Sequence, residues 1–332
     1  MKSLVKGEDS ELRIAYDEFH RSIENENGAV RNATLVEVQQ NLTISTRTES
    51  KTEVIVTHTE RMNQYIEDQQ DREAHIASTS ERDDILKSLS SVNFHNKHID
   101  ILAKHQPNTG QWLLKSDKFQ QWFRSHTCNT LGCTGIAGAG KTVLTSVAVD
   151  YLQQSVCGSD IAIVYLYCDY KDPKTRNEVE LILSIAQQLA GQMDAVTPEL
   201  KAFCEKKKDN RRGITNEDRL SVVESLVACF SRVYVCVDAI DECPEDNRNG
   251  FLWFLKKMQS LLYIVMTSRP HVDLKSYFPN MSQLEIVAPE SDITEYLTSK
   301  IERDASLARL LARDPQLRGD ILGGISKKAE GM

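Results

Sequence analysis

Apolar residues along this chain follow two different patterns, and the change falls near residue 128. After that point, short continuous apolar runs alternate with segments in which apolar residues recur at helical spacing. The runs predict buried strands within five segments: Thr130–Thr134, Ile161–Cys168, Val233–Asp238, Tyr263–Pro270 and Leu284–Val287. Strands that alternate with helices predict an α/β three-layer sandwich, in which helices cover both faces of a parallel sheet.

The first part of the chain, residues 1–85, contains no Trp, Cys or Pro and is rich in Glu, Thr, Gln, Asn and Arg. Its apolar residues recur at helical or heptad-like spacing over Glu11–Glu24 and Leu35–Leu42, and the pattern then weakens. We predict a marginal helical or coiled-coil region. Two interpretations stay open: a module for self-association or for binding a partner protein, and a solvated helical linker.

Two further helical segments flank the predicted sheet. Residues 86–127 contain Trp112, Phe119 and Trp122, which we expect to pack a short helical pair against the following domain. Residues 291–332 again show helical spacing. The predicted organisation is therefore a helical region (1–85), a helical segment that leads into the sheet (86–127), an α/β domain (128–290) and a helical tail (291–332).

Composition narrows the classes of protein that fit. The chain has 332 residues, 40% of them hydrophobic and 27% charged, and a formal net charge of −8. This is ordinary for a globular protein and does not favour binding to nucleic acid through general electrostatics. No segment is typical of a signal peptide or a membrane span, and the eight cysteines show no zinc-type spacing. We expect a cytoplasmic protein with free thiols, no membrane and no specific nucleic-acid partner. The basic residues 206–208, 211 and 212 indicate a solvated loop.

A glycine-rich segment directly follows the first predicted strand. It fits the G-x-x-x-x-G-K-[ST] pattern and consists of Gly135, Ile136, Ala137, Gly138, Ala139, Gly140, Lys141 and Thr142. Glycines let successive backbone N–H groups surround an anion, a lysine reaches the β- and γ-phosphates, and a threonine hydroxyl is a ligand for Mg²⁺. The helix predicted after it adds its N-terminal dipole. The segment predicts a site for ATP/ADP or GTP/GDP with Mg²⁺, and it does not distinguish the two bases.

A second candidate centre lies where a buried strand ends in Asp238 and continues into Asp241 and Glu242. Carboxylates at the carboxyl end of a parallel strand lie where ligands bind in open α/β sheets. We expect Asp238 to hold Mg²⁺ together with Thr142. Asp241 or Glu242 is then available to orient or deprotonate the attacking water.

A third candidate centre is the polar end of the strand in Tyr263–Pro270, where Thr267, Ser268 and Arg269 follow one another. A neighbouring strand would place these groups beside the γ-phosphate. There, Arg269 can detect that phosphate and stabilise its charge during transfer. The predicted catalytic residues are therefore Lys141, Asp241, Glu242 and Arg269, and the predicted metal ligands are Thr142 and Asp238.

Together the three centres resemble the NACHT class of STAND NTPases, in the form found in fungal NLR-like proteins. The region also resembles the nephrocystin-type N-terminal NTPase domain. Walker A corresponds to Gly135–Thr142, the extended Walker B to Asp238–Cys243 and the sensor to Thr267–Pro270. The segment Thr109–Leu113 matches the family's leading segment, and the resemblance covers roughly residues 85–332.

The resemblance implies a signalling switch with a P-loop NTPase fold. Such proteins hold ADP at rest, exchange it for ATP or GTP when a partner binds, and then assemble, often in fungal self/non-self recognition or regulated cell death. Slow hydrolysis resets them. Slow turnover also agrees with the displacement of the acids from the position directly after Asp238. Family members continue into a winged helix and sensing repeats, so we expect this chain to be a fragment, a truncated product or a short paralogue.

Two alternatives stay open at this point. A P-loop kinase shares Walker A but needs an arginine-rich lid, and the residues after the sensor offer only scattered basic side chains. A non-catalytic oligomerising protein would use residues 1–85 for assembly and retain a structural nucleotide.

Overall fold

The computed structural model describes residues 13–15, 80–127, 129–156, 158, 160–209, 213–305, 309, 311 and 315–329. The chain divides into two compact units, Met1–Ser78 and Thr79–Met332. In the first unit only residues 13–15 are described, and they are helical and exposed. The remaining predictions for the N-terminal helical region therefore lie outside the described residues. Everything below concerns the second unit.

A five-stranded parallel sheet forms the centre of this unit. Its strands are β1 (Thr130–Thr134), β2 (Ile161–Tyr167), β3 (Arg232–Asp238), β4 (Tyr263–Ser268) and β5 (Ser282–Glu285). Their order in the sheet is β2-β3-β4-β1-β5. The strands β2, β3 and β4 are almost fully buried, as near-continuous apolar sequences require. The predicted α/β fold with a parallel sheet is confirmed.

Helices connect the strands and cover the sheet. They are α1 (80–89), α2 (Phe94–Leu102), α3 (Gln111–Lys115), α4 (Asp117–Arg124), α5 (Lys141–Ser155), α6 (Glu178–Gly191), α7 (Pro198–Lys208), α8 (Asn216–Val227), α9 (Glu245–Met258), α10 (Glu290–Arg303) and α11 (Pro315–Ala329). Helix α5 packs on β2, β3 and β4 and contacts α2 and α3. Helix α6 packs on β2 and contacts α8 and α9. Within the described residues, none of these helices has the length and apolar character that a bilayer crossing requires.

The order of the strands brings three strand ends together. Strand β4 lies between β1 and β3, and Thr134 pairs with Ser268 across β1 and β4. On the other side of β3, Asp238 pairs with Tyr167 of β2. All strands are parallel, so the residues that follow β1, β3 and β4 meet at one edge of the sheet.

Of the three aromatic residues expected to pack before the first strand, Phe119 and Trp122 are in the core, and Trp112 is partly buried against it. Phe119 and Trp122 of α4 are 0% and 1% exposed, and their rings lie 5.4 Å apart. Trp122 also contacts Tyr234 of β3 edge to face, with 5.5 Å between the ring centres. This packing attaches α4 to the sheet, as predicted.

Polar contacts hold helix α1 on the surface of α6 and α7. The Arg82 guanidinium donates to the carbonyl oxygens of Gly191 and Met193, at 3.0 and 2.9 Å. The Lys207 ammonium donates to the carbonyl oxygens of Ser88 and Leu89, at 2.7 and 2.8 Å. Each cation thus satisfies carbonyl groups at the end of another helix. The side chain of Leu89 is 0% exposed and adds an apolar contact to these hydrogen bonds.

Two details of the predicted element boundaries were wrong. The last strand occupies Ser282–Glu285, two residues earlier than the predicted Leu284–Val287. Its backbone pairing with β1 begins at polar residues, which the search for apolar runs did not mark as a strand. Lys206–Lys208 form the last turn of α7 instead of a loop. Positive side chains at that position interact favourably with the helix dipole.

Candidate functional site

The glycine-rich segment forms a loop between β1 and α5. Gly138 and Gly140 have φ values of 87° and 83°, the left-handed region that L side chains rarely adopt. A Cβ atom added to either residue would meet no atom within 4 Å, so the backbone of the loop has open space beside it. Helix α5 begins at Lys141, and the N–H groups of its first turn therefore have no partners within the helix. These features suit a cradle for phosphate oxygens.

Lys141 lies against this loop. Its ammonium donates to the carbonyl oxygens of Gly135 and Ile136, at 2.8 Å each, and the residue is 9% exposed. Burial lowers the pKa of Lys141, whereas the nearby carboxylates of Asp241 and Asp238 raise it. Arg269 and Glu242 are close enough to affect the same pKa. The five predicted charged groups therefore share one site.

Asp238 is buried at the end of β3, with its two carboxylate oxygens in different surroundings. Thr267 donates to Oδ1 at 2.7 Å, and the Thr145 hydroxyl lies 3.1 Å from the same oxygen. Oδ2 is buried without a hydrogen-bond partner within the described residues. Burial raises the pKa of Asp238, and the hydroxyls of Thr267, Thr142 and Thr145 oppose this rise.

This arrangement fits a divalent cation. An unpartnered buried carboxylate oxygen costs free energy unless a cation or donor approaches it, and a hard oxygen ligand suits Mg²⁺. Thr142, the second predicted ligand, is near enough to Asp238 for its hydroxyl to lower the pKa of that carboxyl group. Asp238 and Thr142 would therefore hold the ion.

The residue after Asp238 has an unusual backbone. Ala239 has φ 53° and ψ 47°, and its N–H donates to the Thr267 hydroxyl at 2.8 Å. A residue other than glycine in this region is uncommon and is held there by its surroundings. The turn directs the chain into the short 3₁₀ helix Ile240–Glu242, which carries both remaining acids.

The structure gives these two acids different partners. Asp241 accepts from the backbone N–H of Arg269 through Oδ1 and pairs with the guanidinium Nε through Oδ2, both at 3.1 Å. The Asp241 side chain is 3% exposed, and that of Arg269 is 46% exposed. Glu242 instead accepts from the Tyr170 backbone N–H at 2.8 Å, and burial raises the pKa of its carboxyl group. Asp241 thus positions Arg269, while Glu242 keeps one oxygen outside this contact.

A sequence profile covers the same part of the chain. The family described as Nephrocystin 3, N-terminal, matches residues 108–269, just under half of the chain. This span runs from the segment before α3 to Arg269 and includes all the predicted site residues. No curated protein sequence matches the chain.

Two solved structures illustrate what parts of this chain are similar to. The Aeropyrum pernix ORC1 protein in complex with DNA is 13% identical, with a TM-score of 0.41, over 63% of this chain and 55% of that one. The replication initiator DnaA bound to AMPPCP and single-stranded DNA is 15% identical, with a TM-score of 0.30, over 70% and 60%. This chain therefore spans little more than half the length of these proteins. The fold described above is an α/β fold built on a five-stranded parallel sheet.

Sequence reasoning missed two residues that shape the site. Thr145 follows Thr142 by three residues. Residues at this spacing lie on the same face of a helix, so the sequence could have predicted that Thr145 faces the sheet together with Thr142. Tyr170 acts through its backbone N–H, and no side-chain pattern reports such a contact.

Proposed function

We propose that this protein is a nucleotide-dependent signalling switch of the NLR-like STAND type, which binds ATP or GTP with Mg²⁺ and hydrolyses it slowly. The observation that carries the proposal is the convergence of Lys141, Asp238 and Arg269 at one edge of the parallel sheet. The ion pair between the buried Asp241 and Arg269 supports a role for Arg269 in detecting the terminal phosphate, which is the property that a switch needs. The resemblance to nephrocystin-type domains supports the same class.

Each residue has a part in this proposal. The loop Gly135–Thr142 cradles the phosphates, and Lys141 exchanges its carbonyl partners for phosphate oxygens. Mg²⁺, when bound, neutralises charge on the β- and γ-phosphates. Arg269, held by Asp241, is oriented toward the terminal phosphate. Glu242 accepts the proton of the attacking water, and its raised pKa suits a general base near neutral pH.

The position of Glu242 accounts for slow turnover. Faster ATPases of the related additional-strand class carry the acid directly after the metal-binding aspartate, and here that position is Ala239. Glu242 is further along the chain and is held by Tyr170, so it is less well placed for the water. Slow hydrolysis is what a switch needs, because the bound nucleotide then defines a lasting state.

Binding is tested first with the full chain and fluorescent analogues of ATP and GTP in the presence of Mg²⁺. We expect Lys141→Ala to weaken binding by about 100-fold or more, because a charge-assisted contact to phosphate is lost. Lys174→Ala, on an exposed residue of the 3₁₀ turn Pro173–Arg176, serves as the control and should change little. Equal affinity of both variants would contradict the proposed site.

Hydrolysis is tested in single-turnover reactions with saturating nucleotide. We expect Glu242→Gln to spare binding and to lower the hydrolysis rate by about 100-fold or more, because a general base contributes at least this factor. Glu245→Gln, on an exposed acid of the same segment, is the matched control. A parental rate in Glu242→Gln would show that Glu242 is not the base.

The separate part given to Asp241 has its own test. We expect Asp241→Asn to release Arg269 and to weaken discrimination between triphosphate and diphosphate, with an affinity for the diphosphate that stays within about threefold. Measurement of both affinities checks this. Unchanged discrimination combined with lost hydrolysis would assign Asp241 to the water instead.

The switch itself requires a change of assembly or partner. We expect the chain to purify with a diphosphate, identified by mass spectrometry, and to exchange it on incubation with excess triphosphate. Light scattering in the two nucleotide states then measures self-association. A nucleotide that never exchanges would favour the non-catalytic interaction protein, and a labelled acceptor other than water would favour the kinase.

A further inference from the structure

Two cysteines that are distant in sequence meet beside the candidate site. The Sγ atoms of Cys168 and Cys243 are 3.5 Å apart, and the Cys243 thiol donates a weak hydrogen bond to the sulfur of Cys168. The residues are 4% and 3% exposed. Both carry free thiols.

The pair is connected to the candidate catalytic acids on both sides. Cys168 continues strand β2, and its N–H donates to the carbonyl oxygen of Asp238 at 3.1 Å. Cys243 directly follows Glu242 and ends the 3₁₀ helix that carries it. The Tyr170 N–H that binds Glu242 lies two residues after Cys168. A bond between the two sulfurs would thus link the two chain segments that position Glu242, the one after β2 and the 3₁₀ helix after β3.

We propose that Cys168 and Cys243 are a modification site, at which peroxide converts the two thiols into a reversible intramolecular disulfide. Hydrogen peroxide first oxidises one thiol to a sulfenic acid and releases one water. The sulfur of the second thiol then attacks the sulfenic sulfur, which forms the S–S bond and releases a second water. Overall, two thiols and one peroxide give one disulfide and two waters, and a dithiol reductant reverses the change.

The position of the sulfurs favours this product over other oxidation products. A sulfenic acid formed on either cysteine has the second thiol within 3.5 Å, so ring closure competes well with further oxidation by peroxide from solution. Disulfides in reducing compartments are generally transient and serve redox sensing, which agrees with a reversible bond at a switch.

The surroundings of the thiols set the rate. Both sulfurs are buried, so peroxide reaches them less readily than it reaches the exposed Cys229, and we expect the pair to be oxidised more slowly than that residue.

The consequence for catalysis rests on the proposed function. The sulfurs must approach from 3.5 Å to about 2.05 Å to form the bond, and Cys243 carries its neighbour Glu242 with it. A displacement of about 1 Å at a catalytic group can cost up to about 100-fold in rate. We expect the oxidised protein to hydrolyse nucleotide at least tenfold more slowly and to bind it within about twofold of the reduced affinity.

The experiment treats the full chain with hydrogen peroxide, alkylates the remaining thiols and maps the peptides by mass spectrometry. We expect a linked pair of peptides that contain Cys168 and Cys243, and we expect it to disappear on treatment with dithiothreitol. Cys243→Ala removes the link, and Cys168→Ala provides the same test if that variant does not fold. Cys229→Ala, on an exposed cysteine of the same chain, is the control and retains the link.

Two results would overturn the proposal. One is recovery of Cys168 and Cys243 as alkylated thiols after prolonged peroxide treatment of the folded protein, or their conversion to sulfinic and sulfonic acids without a link. The other is an identical hydrolysis rate in the linked and reduced forms, which removes the regulatory consequence. Formation of the link in a protein that neither binds nor hydrolyses nucleotide would refute the proposed function and leave the modification site in place.

Discussion

At the scale of single residues, the surroundings of Asp238 determine what its carboxylate can bind. Two threonine hydroxyls lie at Oδ1, while Oδ2 is buried and has no partner within the described residues. Thr267 accepts from the Ala239 N–H, so its own hydrogen is free to point at Asp238. The carboxylate is thereby fixed in one orientation, and the oxygen left over is the one that suits a cation.

We predict that Thr145→Val weakens the affinity for nucleotide about fivefold in the presence of Mg²⁺ and leaves it unchanged in excess EDTA. The Thr145 hydroxyl can donate to Asp238 Oδ1 at 3.1 Å or to the Lys141 carbonyl oxygen at 3.0 Å. Loss of the hydrogen bond to Asp238 corresponds to about 1 kcal/mol, and valine keeps the shape of threonine. Isothermal titration with and without Mg²⁺ measures the difference. Thr145→Ser keeps the hydroxyl and is the control. A loss of equal size without Mg²⁺ would mean that Thr145 supports the helix and not the metal site.

Much of the candidate site could be predicted from the sequence, because its charged and glycine residues occur in short motifs. The glycine-rich loop and the acid that ends β3 could be predicted from residue types and spacing alone. The partition of tasks between Asp241 and Glu242 could not. The two roles depend on which acid faces Arg269 and which faces Tyr170. Because Asp241 and Glu242 are adjacent in one 3₁₀ turn, their order in the sequence does not reveal which way each side chain points.

At the scale of elements, the loop depends on a close approach between β1 and the chain that follows β5. The Ile286 N–H donates to the Thr134 carbonyl oxygen at 2.7 Å and thereby extends the pairing beyond Glu285. A Cβ atom on Gly135 would lie 2.9 Å from the Ile286 backbone oxygen and 3.0 Å from the Ile286 Cβ. Glycine is therefore required at Gly135 for packing, whereas Gly138 and Gly140 are required for their φ values.

We predict that Gly135→Ala lowers the free energy of unfolding by about 1–3 kcal/mol, because backbone atoms must move to admit the methyl group. Gly191→Ala is the matched control: a Cβ there meets no atom within 4 Å, so its stability should be unchanged or higher by about 0.5–1 kcal/mol. Urea unfolding of both variants measures the contrast. Equal midpoints would contradict the close approach of β1 and the chain after β5.

Elements with a buried face were predictable, and those with an exposed face were less so. The central strands have the apolar patterns that burial requires, and their predicted ends agree with the structure to within a few residues. Strand β5 was displaced because its pairing is set by backbone hydrogen bonds to β1, not by apolar side chains. Tertiary pairing thus decided its position where the local pattern was weak.

At the scale of the whole molecule, a buried histidine outside the candidate site is expected to make stability depend on pH. His98 of α2 is 3% exposed, and its Nδ1 is 2.7 Å from the Tyr167 hydroxyl. Burial lowers the pKa of His98 below its usual 6.5, more than the nearby Asp150 raises it. The unfolded chain therefore binds a proton at this residue more readily than the folded protein does.

We predict that the free energy of unfolding is constant with respect to His98 above pH 6.5 and falls as the pH decreases below that value. Unfolding in urea between pH 7.5 and 5.5 measures the slope. His98→Asn keeps a polar group near Tyr167 and should reduce the slope, whereas His271→Asn, on an exposed histidine, should retain it. The same slope in all three proteins would contradict the effect of burial.

The contacts of α1 have a practical consequence for anyone who wishes to shorten this protein. Removal of residues 80–89 would take away the guanidinium that binds the end of α6, the buried Leu89 side chain, and the two carbonyl groups to which the Lys207 ammonium donates. Truncation upstream of Thr79 avoids all three defects, since the second compact unit begins there. Crystallisation and expression trials of the second unit should therefore start before α1.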